Sequence, residues 1–142
     1  MITNPTPQLR RPFVEANMLN CHLHIGKFAK LTSSGELSLI ASGSETPSGV
    51  IIAADSPLHA WAGGKPSGTI LLHTFGGIVE VQLAADHGQI LPGSKLVVVA
   101  GGAVRLAAAS EKAVAIAVEG IATVQAGQLI RAVMVTPGTV TA

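Results

Sequence analysis

The chain has 142 residues, of which 48% are hydrophobic, 12% charged and 3% aromatic, and its formal net charge is +1. A typical soluble domain has about 25% charged residues, so this chain is predicted to cover its surface with further copies or with a partner. The scattered basic residues and scarce aromatic rings argue against nucleic-acid binding, and no apolar run reaches the roughly 18 residues of a membrane-spanning helix.

The first residues are rich in proline and lack the apolar region of a secretory signal, so we expect synthesis in the cytoplasm. Proline fixes φ and removes a backbone donor, which predicts an extended N-terminal arm and lead-in over residues 1–26. A single β-rich domain is predicted over residues 27–142. A frayed terminus and an arm that lies along a neighbouring subunit both fit the proline-rich segment.

A cluster of ligand-type residues follows in Cys21-His22-Leu23-His24. On a strand His22 and His24 would share one face, and zinc accepts both cysteine and histidine. A structural zinc site needs four ligands, however, and the other histidines stand singly. We therefore predict no metal site and no cofactor. If a metal were bound, Cys21, His22 and His24 would be the candidate ligands. A histidine pair that is partly buried or placed between subunits is the favoured interpretation.

From Lys27 onward, short apolar runs alternate with Gly, Pro and Ser clusters, which is typical of an all-β chain. Gly76-Gly77 and Gly101-Gly102 predict tight hairpins. The predicted fold is all-β (mainly β), a compact β-barrel or β-sandwich of short antiparallel strands. The predicted strands are Lys27–Thr32, Glu36–Ala41, Gly49–Ala54, Thr69–Thr74, Gly77–Ala84, Lys95–Ala100, Ala103–Ala108, Val114–Ala122 and Gln128–Val135.

Two stretches share one pattern. Leu31–Ile40 and Val98–Ala107 each contain an apolar residue, a Gly turn and an apolar alternation, and a Ser-Glu pair follows each of them. Farther on, Gly68-Thr-Ile-Leu-Leu aligns with Gly127-Gln-Leu-Ile-Arg. This repeat predicts two similar halves on one apolar core. The alternative is a pattern that recurs by chance in a hairpin-rich protein.

Sequence patterns of catalysis are missing. There is no G-x-S-x-G nucleophile elbow and no glycine-rich phosphate loop. Asp55 and Asp86 stand beside turn signals, where aspartate usually binds the local backbone. We therefore predict that the protein is not an enzyme. Trp61, in a Gly-rich loop, either anchors an interface or caps the core.

The strands and turns follow a definite order. A strand and Gly turn at Phe28–Gly35 precede a Pro-led strand at Pro47–Ile52, and Gly88–Leu96 forms a turn that leads into a strand. Val114–Ile121 and the closing strand Ala126–Val135 come next. This order resembles the head decoration, or cement, proteins of phage capsids, of the small β-barrel type. The resemblance covers about four-fifths of the chain, and the histidine segment and the Trp61 loop depart from it.

The resemblance implies a structural virion protein without catalysis, made in the host cytoplasm and placed on the outer capsid surface. Its implied partners are the major capsid protein and itself, as a homotrimer, with no nucleic acid and no membrane. The candidates for capsid contact are Pro5, Pro7, Arg10, Arg11, Pro12 and Phe13. The candidates for an interface are Trp61 and Arg105.

Three other readings of the sequence stay open. A carbohydrate- or receptor-binding β module of a phage or bacterial surface assembly is the first alternative, although such modules usually display aromatic platforms, and this chain has only Trp61 and three phenylalanines. A small enzyme or metal-binding barrel that uses Cys21, His22 and His24 is the second. The third is a β-rich domain of a larger assembly whose role the sequence does not indicate.

Overall fold

The structure is a computed structural model that describes residues 8–12, 21–54, 69–74, 76–84 and 88–135. A short 3₁₀ helix occupies Cys21–His24, and ten strands make up the other regular elements of the described part. The strands are β1 Gln8–Pro12, β2 Phe28–Leu31, β3 Leu37–Leu39, β4 Gly49–Ala54, β5 Thr69–His73, β6 Ile78–Gln82, β7 Lys95–Val98, β8 Val104–Leu106, β9 Ala115–Ala117 and β10 Leu129–Met134.

The strands form two antiparallel five-stranded sheets that pack against each other. The first sheet has the order β1-β5-β4-β2-β3, and the second has the order β6-β10-β9-β7-β8. The predicted all-β fold is therefore confirmed in its sandwich form. Leu83, just after β6, makes a single bridge with Val104 of β8. This bridge joins the two edge strands of the second sheet at one point, and the described strands form no closed barrel. Within the described residues, no helix has the length and apolarity to cross a membrane.

β1 is a strand that the sequence analysis did not predict. The segment is extended, as its prolines require, but it is hydrogen-bonded along β5 from Gln8, opposite His73, to Pro12, opposite Thr69. β1 is an edge strand, where the missing N–H of Pro12 costs little. Each of the nine predicted strands overlaps one of β2 to β10.

The two sheets have the same strand order, with β6 to β10 in place of β1 to β5. Their pairings repeat as well: Ala29 lies opposite Leu39 in the first sheet, and Leu96 lies opposite Leu106 at the equivalent place in the second. The chain therefore consists of two halves with one topology, which we call the first half (residues 8–73) and the second half (residues 78–134).

One part of the sequence alignment between the halves was wrong by one residue. Thr69 pairs with Pro12 at the end of β1, and Leu129 pairs with Gln82 at the end of β6. Thr69 therefore corresponds to Leu129, whereas the sequence pattern had matched it with Gln128. A shift of one residue moves every side chain of a strand to the opposite face, so Leu129, and not Gln128, stands on the same face as Thr69.

Each sheet has a row of buried residues, and the two rows occupy equivalent positions. In the first half two more residues, Phe28 and Val50, are fully buried, and they pack into a cluster formed mostly by the second half. Their second-half equivalents, Lys95 and Ile116, are only partly buried. The first half therefore contributes an extra apolar surface to the contact between the halves. The equivalent rows are Ala29, Leu37, Ile51 and Leu72 in the first sheet and Leu96, Val104, Ala117 and Ala132 in the second.

Candidate interaction surface

The candidate arm residues lie partly in the described structure. Arg10, Arg11 and Pro12 belong to β1, and the Arg11 side chain is exposed on this edge strand. Four further candidates lie outside the described residues: Pro5, Pro7, Phe13 and Trp61. The described part of the arm is thus a sheet edge, which can meet a partner through its backbone and its side chains.

The candidate metal ligands lie in the 3₁₀ helix, so the strand geometry considered for His22 and His24 does not apply. The imidazole Nδ1 of His24 lies 3.2 Å from the ammonium nitrogen of Lys27. Within the described ranges, no group of three His, Cys, Asp or Glu side chains could hold a metal ion.

Arg105, a predicted interface residue, is bound within the chain. Its guanidinium donates two hydrogen bonds to Glu111, from Nη1 to Oε1 at 2.9 Å and from Nη2 to Oε2 at 2.7 Å. The Ala108 N–H also donates to Glu111 Oε1, at 2.6 Å. Bonding to Arg105, helped by the Ala108 N–H, lowers the pKa of Glu111 to about 2. The same contact raises the pKa of Arg105. Both groups are therefore charged at neutral pH, and they fix the loop that follows β8.

The first half contains an equivalent carboxylate. Glu45 accepts hydrogen bonds from the Ala41 N–H at 2.6 Å and the Ser42 N–H at 3.2 Å, and it pairs with the Lys30 ammonium. The Lys30 bond, followed by the Ala41 N–H, lowers the pKa of Glu45. The cation stands on β2 here, but in the second half Arg105 stands on β8, the equivalent of β3. The Ser-Glu repeat in the sequence marked both carboxylates, but it gave no sign of their cations.

The two carboxylates meet at a cavity between the halves. Its volume is about 250 Å³, and Lys112 is the one charged lining residue without an ion pair in the described part of the chain. Glu45 and Glu111 are held by their cations and by backbone N–H groups, so neither is poised to exchange a proton near neutral pH. The cavity is lined by Gly43, Ser44, Glu45, Thr46, Pro47, Val97, Val98, Glu111, Lys112 and Val114.

The halves meet through two turns, in a contact that we call the inner interface. One turn is residues 23–28 of the first half, and the other is residues 99–102 of the second. The Phe28 N–H donates to the Gly102 carbonyl at 2.7 Å, and the Gly101 N–H donates to the Ile40 carbonyl at 2.7 Å. Gln82 continues the contact, because its N–H donates to the Gly26 carbonyl at 2.8 Å. These backbone bonds set the position of one half on the other.

Large apolar side chains are exposed at turns and strand edges of the described structure. Single exposed apolar residues are common in folded proteins, but here they combine with few charges. Leu31 is 45% exposed, whereas its second-half equivalent Val98 is 3% exposed and belongs to the core cluster that also contains Phe28 and Val50 of the first half. The exposed set is Leu23, Leu31, Ile78, Leu91, Leu106, Val118 and Leu129.

No family model matches this chain, and no significant similarity is found to a curated protein or to a solved structure.

Proposed function

We propose that the protein is a structural component of a phage virion. In this proposal it is a capsid decoration protein that binds the outer face of the head, bridges major capsid subunits and performs no catalysis. The observation that carries the proposal is the described surface, which has few free charges and several exposed apolar side chains at its turns and edges. The order of strands and turns, which resembles that of the small cement proteins, supports the same function.

A capsid decoration role is compatible with the properties of a β-sandwich built from two halves of one topology. A rigid β-framework loses little conformational entropy when it binds, so weak apolar contacts are enough to hold it on a repeating shell. As a homotrimer, the protein would bind a shell through several such contacts at once, and linked contacts raise the net affinity without any strong individual site. The edge strand β1 contains Arg10, Arg11 and Pro12, with the Arg11 side chain exposed, and we propose that this edge is part of the capsid contact.

The direct test is to count the copies of this chain in particles from its native source. Quantitative mass spectrometry of purified particles should give a copy number of the same order as that of the major capsid protein. Cryo-electron microscopy should place the density on the outer shell. A chain that is missing from the particles would refute the proposal, and a chain present in a few copies at the tail would favour the receptor-binding alternative.

The arm is tested separately by cosedimentation of the purified protein with undecorated heads. Deletion of residues 1–12 removes β1, so the double variant Arg10→Glu, Arg11→Glu is needed to keep the strand while reversing its charge. We expect both changes to weaken binding. Binding that is undiminished in both variants would remove the arm from the capsid contact. The copy-number result would still stand.

A further inference from the structure

In the inner interface, a turn of the first half contacts a different turn of the second half. Each half also contains the counterpart of the turn that the other half uses, and these two counterparts are not covered. A Cβ atom on Gly102 would stand 2.5 Å from the Phe28 carbonyl oxygen, but one on the equivalent Gly35 would meet nothing within 4 Å. A Cβ atom on Gly26 would stand 2.6 Å from Leu129, but the equivalent Gly93 is open in the same way. The four glycines have similar positive φ angles, between 87° and 94°.

The two open surfaces are the counterparts of two surfaces that already fit each other. We call residues 90–95 of the second half the outer turn, because it corresponds to the 23–28 turn of the inner interface. We call residues 32–36 of the first half the receiving turn, because they correspond to residues 99–103, which comprise the 99–102 turn of the inner interface and the next residue. Leu31 beside the receiving turn is 45% exposed, whereas Val98 at the equivalent place is covered.

The differences between the halves are complementary in charge. Lys95 replaces Phe28 on the outer turn, and Glu36 replaces Ala103 on the receiving turn. Neither Lys95 nor Glu36 is in an ion pair within the described part of the chain. A lysine can lie along an exposed leucine with its stem and carry its ammonium to a carboxylate at the rim. Leu31 and Glu36 provide that leucine and that carboxylate.

We propose that a second copy of this chain docks here, with the outer turn of one copy on the receiving turn of the next. The contact repeats the inner interface, with Lys95 and Glu36 at the places that Phe28 and Ala103 occupy there. Such a contact is heterologous, because the two copies use different surfaces. It therefore continues until a ring closes, or else it forms a filament. The inference does not depend on whether the protein binds a capsid.

The test is the oligomeric state of the purified full chain over a range of micromolar concentrations, measured by sedimentation velocity. The wild type should form a ring or a growing series of oligomers. Lys95→Glu and Glu36→Lys should each weaken association about tenfold or more, since each places like charges in the contact. Lys112→Glu makes the same change of charge away from both turns and should leave association unchanged. Circular dichroism should show that all three variants are folded.

Recombination of the charges separates this contact from a general effect of charge. The double variant Lys95→Glu, Glu36→Lys should regain association. An equimolar mixture of the two single variants should form at least a heterodimer, because Glu at position 95 of one meets Lys at position 36 of the other. A wild-type monomer throughout the concentration range would overturn the proposal. So would an oligomer that neither variant weakens, or weakened variants that neither the double change nor the mixture restores.

Discussion

Gly102 is the tightest point of the inner interface, and its replacement by alanine measures how firmly the two halves are joined. Both Gly102 and its equivalent Gly35 have positive φ, 94° and 87°. A Cβ in this region costs about 1–2 kcal/mol, and the lower entropy of the unfolded chain returns about 0.4–1 kcal/mol. The backbone contribution is therefore about 1 kcal/mol at either position. Gly35→Ala, with open space around it, should show this contribution alone.

In Gly102→Ala a steric clash adds to this backbone contribution. The new methyl group would lie 2.5 Å from the Phe28 oxygen and 3.1 Å from the Phe28 nitrogen, and both are backbone atoms held by the inner interface. The turn has to move, which strains the 2.7 Å bond from the Phe28 N–H to the Gly102 carbonyl. Overpacking of this kind costs about 1–3 kcal/mol. We expect a total loss of about 3 kcal/mol, which is about 2 kcal/mol more than for Gly35→Ala.

The assay is equilibrium unfolding in urea, followed by circular dichroism, with wild type and both variants at one low protein concentration. Low concentration keeps association from contributing to the stability of Gly35→Ala. The m-value should stay constant if only the native state is strained. Equal losses in the two variants, or a larger loss for Gly35→Ala, would refute the close contact at Gly102.

Two further predictions concern the core and the ion pairs. Phe28→Ala removes a fully buried ring from the contact between the halves and should lower the free energy of unfolding by about 3–5 kcal/mol. Ile78→Ala, at a 60% exposed position, should lower it by less than about 0.5 kcal/mol in the same assay. Similar losses in the two variants would contradict the burial of Phe28. Glu111→Gln tests the pH dependence. The folded-state pKa of Glu111 is lowered to about 2 from 4.5, so its contribution is complete above pH 4.5 and is lost as the pH falls toward 2. The wild type should therefore lose more stability than Glu111→Gln across this interval in acid titrations, by about 1 kcal/mol or less because the pair is partly exposed, and parallel curves would contradict the ion pair.

The strands could be predicted because local residues decide them. Aliphatic runs ended by Gly and Pro turns located β2 to β10, since these turns require backbone angles that few other residues adopt. β1 could not be predicted in this way. The prolines in and before it indicate only an extended backbone, and its partner β5 lies far along the chain. The choice between barrel and sandwich was also open, because strands of three to six residues allow either closure or an open edge.

The candidate surface could be predicted only in part. The sequence showed the repeated Ser-Glu pairs, but the cations of Glu45 and Glu111 come from non-equivalent strands, so no spacing reveals them. The correspondence of β5 with β10 was placed one residue off because the alignment matched the glycines Gly68 and Gly127, whereas the strand pairings match Thr69 with Leu129. Contacts between the halves depend on which face each strand presents, so they required the structure.

Part of the small number of charges in this chain is paired within it. The sequence has nine lysines and arginines and eight aspartates and glutamates, and three ion pairs in the described part hold six of these seventeen side chains. The remaining surface depends on small polar and aliphatic residues for its contact with water. A surface of this kind gains more from contact with protein than a typical charged surface does, because less desolvation of charge opposes the burial of its apolar area. Both proposals follow from this balance: one places the exposed side chains against a capsid, and the other places an open turn of each half against a second copy.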